Sequence, residues 1–161
     1  MIVSNSSPLI NLAAINKLDL LEKLYGEIII PEAVWKEVVI DGKGQPGSEA
    51  VERARWIKKK SITDNAFVKM LMFTLDKGES EAITLAKEKS AELLIIDERF
   101  ARDVADNIGL KYIGTLGVLR EAKSKGLING IKQYMDSLRT KAGFWISEEV
   151  YKGILKIEGE V

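Results

Sequence analysis

The side chains of this sequence that could do chemistry are mostly acids, because the chain has no histidine and no cysteine. That absence excludes Ser-His-Asp triads, cysteine nucleophiles, imidazole bases and the usual zinc sites. Catalysis would have to use carboxylates, lysines, tyrosines, hydroxyls or a bound ion. A metal ion in such a protein would have oxygen ligands, which favours Mg²⁺ or Mn²⁺.

Four groups of polar residues stand just after predicted strands or near the start of predicted helices. They are Asn5 with Ser6 and Ser7, Glu37, Glu79 with Glu81, and Asp97 with Glu98. A parallel sheet brings the carboxyl ends of its strands to one edge, so these groups can meet there. Carboxylates that meet must protonate or share a cation. A shared divalent ion would activate water and offset charge on a phosphoryl oxygen during in-line attack.

Each acid also has a purely structural interpretation, which is favoured when the acid is considered alone. Asp97 can be the N-cap of the following helix, and Glu79 stands three residues after Asp76, the spacing of a capping box. Glu37 can be a solvated helix residue. Glu81 is explained less well, because it lies at the edge of an apolar stripe, where an acid needs a partner such as a cation.

The elements that must position these acids alternate along the chain. We predict strands over Ile2–Ser4, Glu27–Ile30, Glu92–Ile96 and Lys111–Ile113. Helical patterns cover 9–14, 18–24, 31–39, 65–75, 79–89, 99–107, 114–126, 131–145 and 148–156. This alternation predicts an α/β fold, with a parallel sheet flanked by helices in a single domain over residues 1–161.

Three local features carry further predictions. The first strand should lead directly into a helix with a serine N-cap and Pro8 in its first turn. The segment DGKGQPGSEA, residues 41–50, should be a loop because it combines three glycines with a proline. Lysines 58–60 are best interpreted as a solvated strand edge, where lysine discourages aggregation.

The composition of the chain limits where the protein is expected in the cell and which partners it is expected to bind. With 24 basic and 24 acidic residues the chain has no global attraction to nucleic acid, although a local basic patch remains an option. The sequence has neither an apolar run of about 18 residues nor the pattern of a secretory signal. We therefore expect a cytoplasmic protein without membrane association and without disulfides.

Six segments in order, SNSSPLI, LDLL, IIPEAVWKEV, LDKGESEAI, LLIIDERFAR and YIGTLGVL, resemble PIN-domain proteins of the small prokaryotic branch. The likeness covers nearly the whole chain. It implies a parallel sheet wrapped by helices and Mg²⁺- or Mn²⁺-dependent cleavage of single-stranded RNA, as in the toxins of toxin–antitoxin pairs. It also suggests a homodimer and a small antitoxin protein as partners.

The resemblance implies roles for particular residues. The acidic pocket of the family, catalytic and metal-binding, falls on Asn5, Glu37, Glu81 and Asp97, with Glu98 as a further metal ligand. We expect the three acids of this set to converge around Asn5 and share an ion.

Other side chains are candidates for contact with RNA. Ser6 or Ser7 matches the hydroxyl that accompanies the first acid of the family. Arg99 and Arg102 lie three apart on a helix that starts at the pocket, so they could contact phosphate. Aromatic residues such as Trp145 could stack on bases, although such residues belong more often to a core or a dimer interface.

The chain departs from the family at Asn5, where PIN nucleases usually have aspartate. An amide oxygen can ligate a hard cation but brings no charge. Two interpretations therefore stay open: a metal-dependent endoribonuclease, and a PIN-like module that binds nucleic acid or a partner without turnover. A Rossmann-type nucleotide-binding enzyme is disfavoured, because the first strand–helix turn has no G-x-G-x-x-G.

Overall fold

The computed structural model describes all 161 residues and contains a five-stranded, fully parallel sheet. The strands are β1 (Ile2–Ser4), β2 (Ile28–Pro31), β3 (Ile57–Lys60), β4 (Leu93–Ile95) and β5 (Tyr112–Ile113). Their spatial order is β3-β2-β1-β4-β5. Because β1 is central, the residues that follow it lie between the carboxyl ends of β2 and β4.

Ten α-helices flank the sheet, which confirms the predicted α/β class. They are α1 (Ser6–Ala14), α2 (Asp19–Tyr25), α3 (Glu32–Trp35), α4 (Ser48–Arg53), α5 (Asn65–Leu71), α6 (Lys77–Glu88), α7 (Arg99–Asn107), α8 (Thr115–Ser124), α9 (Lys132–Lys141) and α10 (Glu148–Ile157). A π-helical segment, Lys36–Asp41, continues α3. None of these helices has the length and apolar character needed to cross a membrane.

Alternate residues of the central strands enter two apolar clusters on opposite faces of the sheet. Ile28, Ile30 and Ile95 pack into the cluster that includes α1, α2 and α8. Val3 and Ile29 pack into the cluster formed with α6 and α7. Both faces are therefore covered, which is why the strands read as continuous apolar runs. Full burial of one such side chain stabilises the fold by about 1.5–3 kcal/mol.

The four predicted strands are confirmed: Ile2–Ser4 is unchanged, and no end of the other three is shifted by more than one residue. β3 was not among them, but its three lysines are exposed on an edge strand, as the interpretation of residues 58–60 required. Lysine side chains at this edge replace the apolar signal by which the other strands are recognised.

Two local predictions are wrong in part. Residues 41–50 are not all loop, because α4 begins at Ser48 after Gly47, whose φ of +95° turns the chain into the helix. The N-cap of α1 is Asn5 rather than a serine, because Ser6 already belongs to the helix. Pro8 does stand in the first turn of α1, as predicted.

Candidate active site

The corner after β1 holds a buried amide with no partner. The N–H of Asn5 donates to the carbonyl of Ile95 at 2.9 Å, which ties this corner to β4. Asn5 has the extended backbone of an N-cap residue, yet its side chain makes no capping hydrogen bond. Only 4% of the residue is exposed. An asparagine so placed normally caps its helix, so the free side chain of Asn5 requires another explanation.

Glu37 reaches the same corner from the π-helical segment. Its Oε2 accepts a hydrogen bond of 3.0 Å from the hydroxyl of Ser6. Gly42 follows the segment directly, and a Cβ added there would lie 2.5 Å from the carbonyl oxygen of Val38. Only glycine fits there, so the wide turn that carries Glu37 is built into the sequence. π-Helical turns of this kind are frequent at functional sites.

Oxygens from three separate segments meet over Gly78 in the first turn of α6. A methyl group built on Gly78 would lie 2.9 Å from Oε2 of Glu37, 3.5 Å from Oδ1 of Asn5 and 3.6 Å from Oδ1 of Asp76. We call these four residues the Gly78 cradle. Glu37, Asp76 and Gly78 also line a cavity of about 340 Å³. The cradle is therefore open to a small ligand.

No cationic side chain pairs with the acids of the cradle, although Lys36 and Lys77 line the adjoining cavity. Glu37 is an exposed residue, but the partial burial of its carboxylate raises its pKa, and the hydrogen bond from Ser6 opposes that rise. The negative charges of Asp76 and Asp41 raise the same pKa further. No salt bridge in the structure includes Glu37 or Asp76, although Lys36 pairs with Asp41 at 2.8 Å.

Glu79 stands beside the cradle in the same first turn of α6. Burial raises its pKa to about 7; the backbone N–H of Asp76 lowers it, and the charges of Asp76 and Glu98 raise it. Asp76 and Glu79 form the predicted capping box, with Oδ1 of Asp76 accepting from the N–H of Glu79 at 2.8 Å. This prediction is confirmed, and neither acid forms a salt bridge with a lysine or arginine.

The carboxylate of Glu81 is hydrogen-bonded to a backbone N–H group. The residue is 7% exposed, and its Oε1 accepts a hydrogen bond of 3.0 Å from the N–H of Ala33 at the start of α3. An acid at the edge of an apolar stripe was expected to need a partner. A helix N-terminus provides one, through an unpaired N–H and a favourable dipole.

Asp97 joins β4 to α8. Its Oδ1 accepts from the N–H of Thr115 at 2.7 Å, and its Oδ2 accepts from the hydroxyl of Thr115 at 2.7 Å. The amide of Asn11 donates to the same Oδ2 at 3.3 Å. The interpretation of Asp97 as the N-cap of the next helix is wrong: Glu98 takes the N-cap position of α7, without a side-chain bond, and Asp97 binds the start of α8 instead.

The predicted residues are thus brought together only in part. Asn5 and Glu37 share the cradle, with Ser6 at its side. Glu81 and Asp97 are held by N–H donors of other elements, and no group of three or more acids is arranged to hold a metal ion. The oxygens of the cradle nevertheless suit a hard divalent cation, because two carboxylates and an amide converge where a Cβ would otherwise be.

Asp76 is the member of the cradle that the sequence interpretation missed. Its spacing from Glu79 explained it completely as a helix cap, so it was not considered as a ligand. The available signal was Gly78, a poor helix former in the first turn of an otherwise regular helix.

Of the predicted RNA contacts, Arg102 is the one that lines a cavity with Asp97. Arg102 donates from Nε to the carbonyl of Ile96 at 2.9 Å and lies over the ring of Tyr112, so its position is fixed. Asp97 and Arg102 line a cavity of about 510 Å³ together with Trp145, which is 82% exposed. Ser7 and Arg99 are exposed, and their side chains make no hydrogen bond that fixes them.

Comparison with known proteins gives one match. The DUF3368 family model, described as a PIN domain, matches residues 1–160. Searches among curated proteins and among solved structures found no match.

Proposed function

Because this chain belongs to the PIN-domain family, whose model matches residues 1–160, we propose that it is a divalent-metal-dependent endoribonuclease acting on single-stranded RNA. The observation that carries the proposal is the Gly78 cradle, where oxygens of Asn5, Glu37 and Asp76 converge and neither acid forms a salt bridge. Acids left without a counter-charge are a feature of sites that bind cations.

A Mg²⁺ or Mn²⁺ ion bound here would supply an activated water and neutralise charge on the scissile phosphate. Asn5 and Glu37 would hold the ion, and the hydroxyl of Ser6 would orient Glu37. Glu81 and Asp97 still have unused lone pairs, because a carboxylate accepts about four hydrogen bonds. We assign them to orienting the attacking water, with Glu98 at the rim of the site.

The substrate would enter along the cavity that Asp97 shares with Arg102 and Trp145. The guanidinium of Arg102 would pair with a backbone phosphate, and Arg99 and Ser7 would contact the strand outside the cavity. The exposed ring of Trp145 offers a face on which a base can stack. Unpaired bases stack in this way more readily than bases in a duplex, which supports single-stranded RNA as substrate.

The test is cleavage of end-labelled single-stranded RNA with Mn²⁺. We expect Asp97→Asn and Glu37→Gln each to lower the rate by about 100-fold or more, since each weakens transition-state stabilisation by several kcal/mol. Asp106→Asn is the matched control, because Asp106 lies in α7 outside the cradle and accepts a hydrogen bond only from the hydroxyl of Tyr112. If micromolar wild-type protein leaves several RNAs intact with Mn²⁺, the nuclease proposal fails.

A second candidate is a binding module without turnover. Two observations favour it: Asn5 brings no charge to the site, and the carboxylates of Glu81 and Asp97 are already bonded to N–H groups. Such a protein would bind RNA and form no product. Gain of cleavage in Asn5→Asp would show that the missing charge was the defect.

We also propose that the protein is a cytoplasmic toxin, that it forms a homodimer, and that a small antitoxin protein neutralises it. Phe73 and Phe100 support this proposal, because they are 89% and 68% exposed and offer apolar surface of the kind partners cover. Light scattering of the purified protein tests the dimer. Growth arrest on expression of the wild type, but not of Asp97→Asn, tests the toxin.

A further inference from the structure

We propose that Asp76 supplies the negative charge that Asn5 lacks, so that a divalent cation binds over Gly78 between Asp76, Glu37 and Asn5. This inference rests on the proposed function for the kind of ion, and it adds a ligand from the α5–α6 connection.

The first argument is the free amide of Asn5. Buried polar side chains almost always have a hydrogen-bond partner. Asn5 is 4% exposed and leaves the capping bond of α1 unmade. Its Oδ1 instead faces the space over Gly78, 3.5 Å from where a Cβ would be. An acceptor aimed at open space beside two acids is suited to a cation.

The second argument is the arrangement of charge. Glu37 and Asp76 come from different segments, face the same glycine and form no salt bridge. Of the two lysines that line the adjoining cavity, Lys36 pairs with Asp41 at 2.8 Å and Lys77 pairs with neither acid. Two carboxylates and one amide provide the oxygen donors that Mg²⁺ or Mn²⁺ accepts, with water completing the shell. The two charges equal those of a site in which an aspartate at the first position is paired with Glu37.

The role of Asp76 as a helix cap does not use up its carboxylate. Only Oδ1 accepts from the N–H of Glu79, and no donor in the protein reaches Oδ2. Asp76 is exposed, so its second oxygen can reach a ligand in the adjoining cavity. Capping and cation binding are therefore compatible.

The third argument is the glycine itself. Gly78 has no positive φ, so its backbone does not require glycine. Alanine is favoured over glycine in a helix by up to about 1 kcal/mol. A methyl group here would lie 2.9 Å from Oε2 of Glu37, within the space that the cation would take. Room for a ligand explains why the less favourable residue is present.

The experiment is calorimetric titration of the chelator-stripped, full-length chain with MnCl₂ in the absence of RNA. Asp76→Asn removes the charge but keeps the cap, because asparagine caps helices as well as aspartate. We expect the Kd for Mn²⁺ to rise about tenfold or more. Asp64→Asn is the matched control: Asp64 caps α5 by accepting from the N–H of Phe67 at 3.0 Å, and its replacement should leave the Kd unchanged.

Two further variants sharpen the result. Gly78→Ala should abolish Mn²⁺ binding without lowering the Tm measured in chelator. Adding Asn5→Asp to Asp76→Asn should restore binding, since it returns the lost charge to the same cradle.

Equal Mn²⁺ affinity in Asp76→Asn and wild type would overturn the inference, as would a wild type that binds no Mn²⁺. Because no RNA is present, the first outcome leaves the proposed function untouched, whereas the second would also remove the metal ion on which that function depends. Mn²⁺ binding that depends on Asp76, combined with intact RNA, would support the cation site and reject the nuclease. RNA cleavage that survives Asp76→Asn, with unchanged Mn²⁺ affinity, would do the reverse.

Discussion

The carboxylate after β4 and the carboxylates of the Gly78 cradle lie at the same edge of one sheet, in opposite surroundings. Asp97 accepts from an N–H, a hydroxyl and an amide, so donors satisfy it from three sides. Glu37 accepts one hydrogen bond from Ser6, and the other side-chain atoms that face Gly78 are oxygens of Asn5 and Asp76. An acid in such a pocket can therefore either join two secondary-structure elements or remain available to a cation. The number of hydrogen-bond donors around its carboxylate distinguishes the two roles.

The largest expected effect is the loss of stability in Asp97→Ala. Thr115 is fully buried, and the substitution would leave its N–H and hydroxyl without their acceptor. We expect the free energy of unfolding, measured with urea, to fall by about 3 kcal/mol. A loss below about 1 kcal/mol would mean that Asp97 does not hold β4 to α8, and the contrast with the cradle would disappear.

A smaller loss is expected for Glu81→Ala, which leaves only the N–H of Ala33 without its partner. Because Ala33 is half-buried, water can replace part of the bond, and the expected cost is about 1–2 kcal/mol. Glu52→Ala is the control, since Glu52 is an exposed residue of α4. Equal stability of the two variants would show that Glu81 is not an anchor for α3.

Next comes the pH dependence that Glu79 confers on the metal-free protein. Its pKa of about 7 in the folded chain lies above its ordinary value, because of burial and the charges of Asp76 and Glu98. The stability it contributes is therefore fully present below about pH 4.5 and is lost as the pH rises through about 7. Relative to Glu79→Gln, the wild type should lose about 1 kcal/mol over that window, a discounted value since Glu79 is half-exposed.

The measurement is urea unfolding of both proteins in chelator at several pH values. Glutamine keeps the capping box, so a change common to both proteins is not due to Glu79. Parallel pH profiles would contradict the assignment of a raised pKa to this acid.

The smallest effect is expected for Glu37→Gln. Glutamine can still accept the hydrogen bond from Ser6, and the change removes repulsion from Asp76. The free energy of unfolding in chelator should stay within about 0.5 kcal/mol of the wild type. A loss comparable to that of Asp97→Ala would show that Glu37, too, serves the fold.

Sequence reasoning predicts the fold well where local pattern and burial agree. The apolar runs that became β1, β2 and β4 are covered on both faces, so their signal is strong. The sequence signal is weak for a strand at the edge of the sheet and for a helix that begins beside glycines. β3 shows one apolar residue and three lysines, and α4 follows a segment rich in glycine.

For the site, the sequence predicts which edge of the sheet carries the polar residues but not which donors they meet. The acceptor roles of Glu81 and Asp97 depend on N–H groups 48 and 18 residues away, at helix starts whose direction only packing determines. Asp76 was passed over for the opposite reason. The capping box with Glu79 fully explains Asp76 from the local sequence, and nothing in that pattern indicates that Asp76 faces Gly78 together with Glu37.

The position of Glu37 depends on the number of residues in the π-helical segment. A π-turn contains about one residue more than an α-turn, so removal of one codon between Lys36 and Asp41 would convert the segment to an ordinary helix. Residues after the segment would keep their places, because an α-helix spans the same distance with one residue fewer. Inside the segment, Glu37 and the buried Val38 and Val39 would no longer all keep their present directions. The spacing of this stretch is therefore under a constraint that no single substitution reveals.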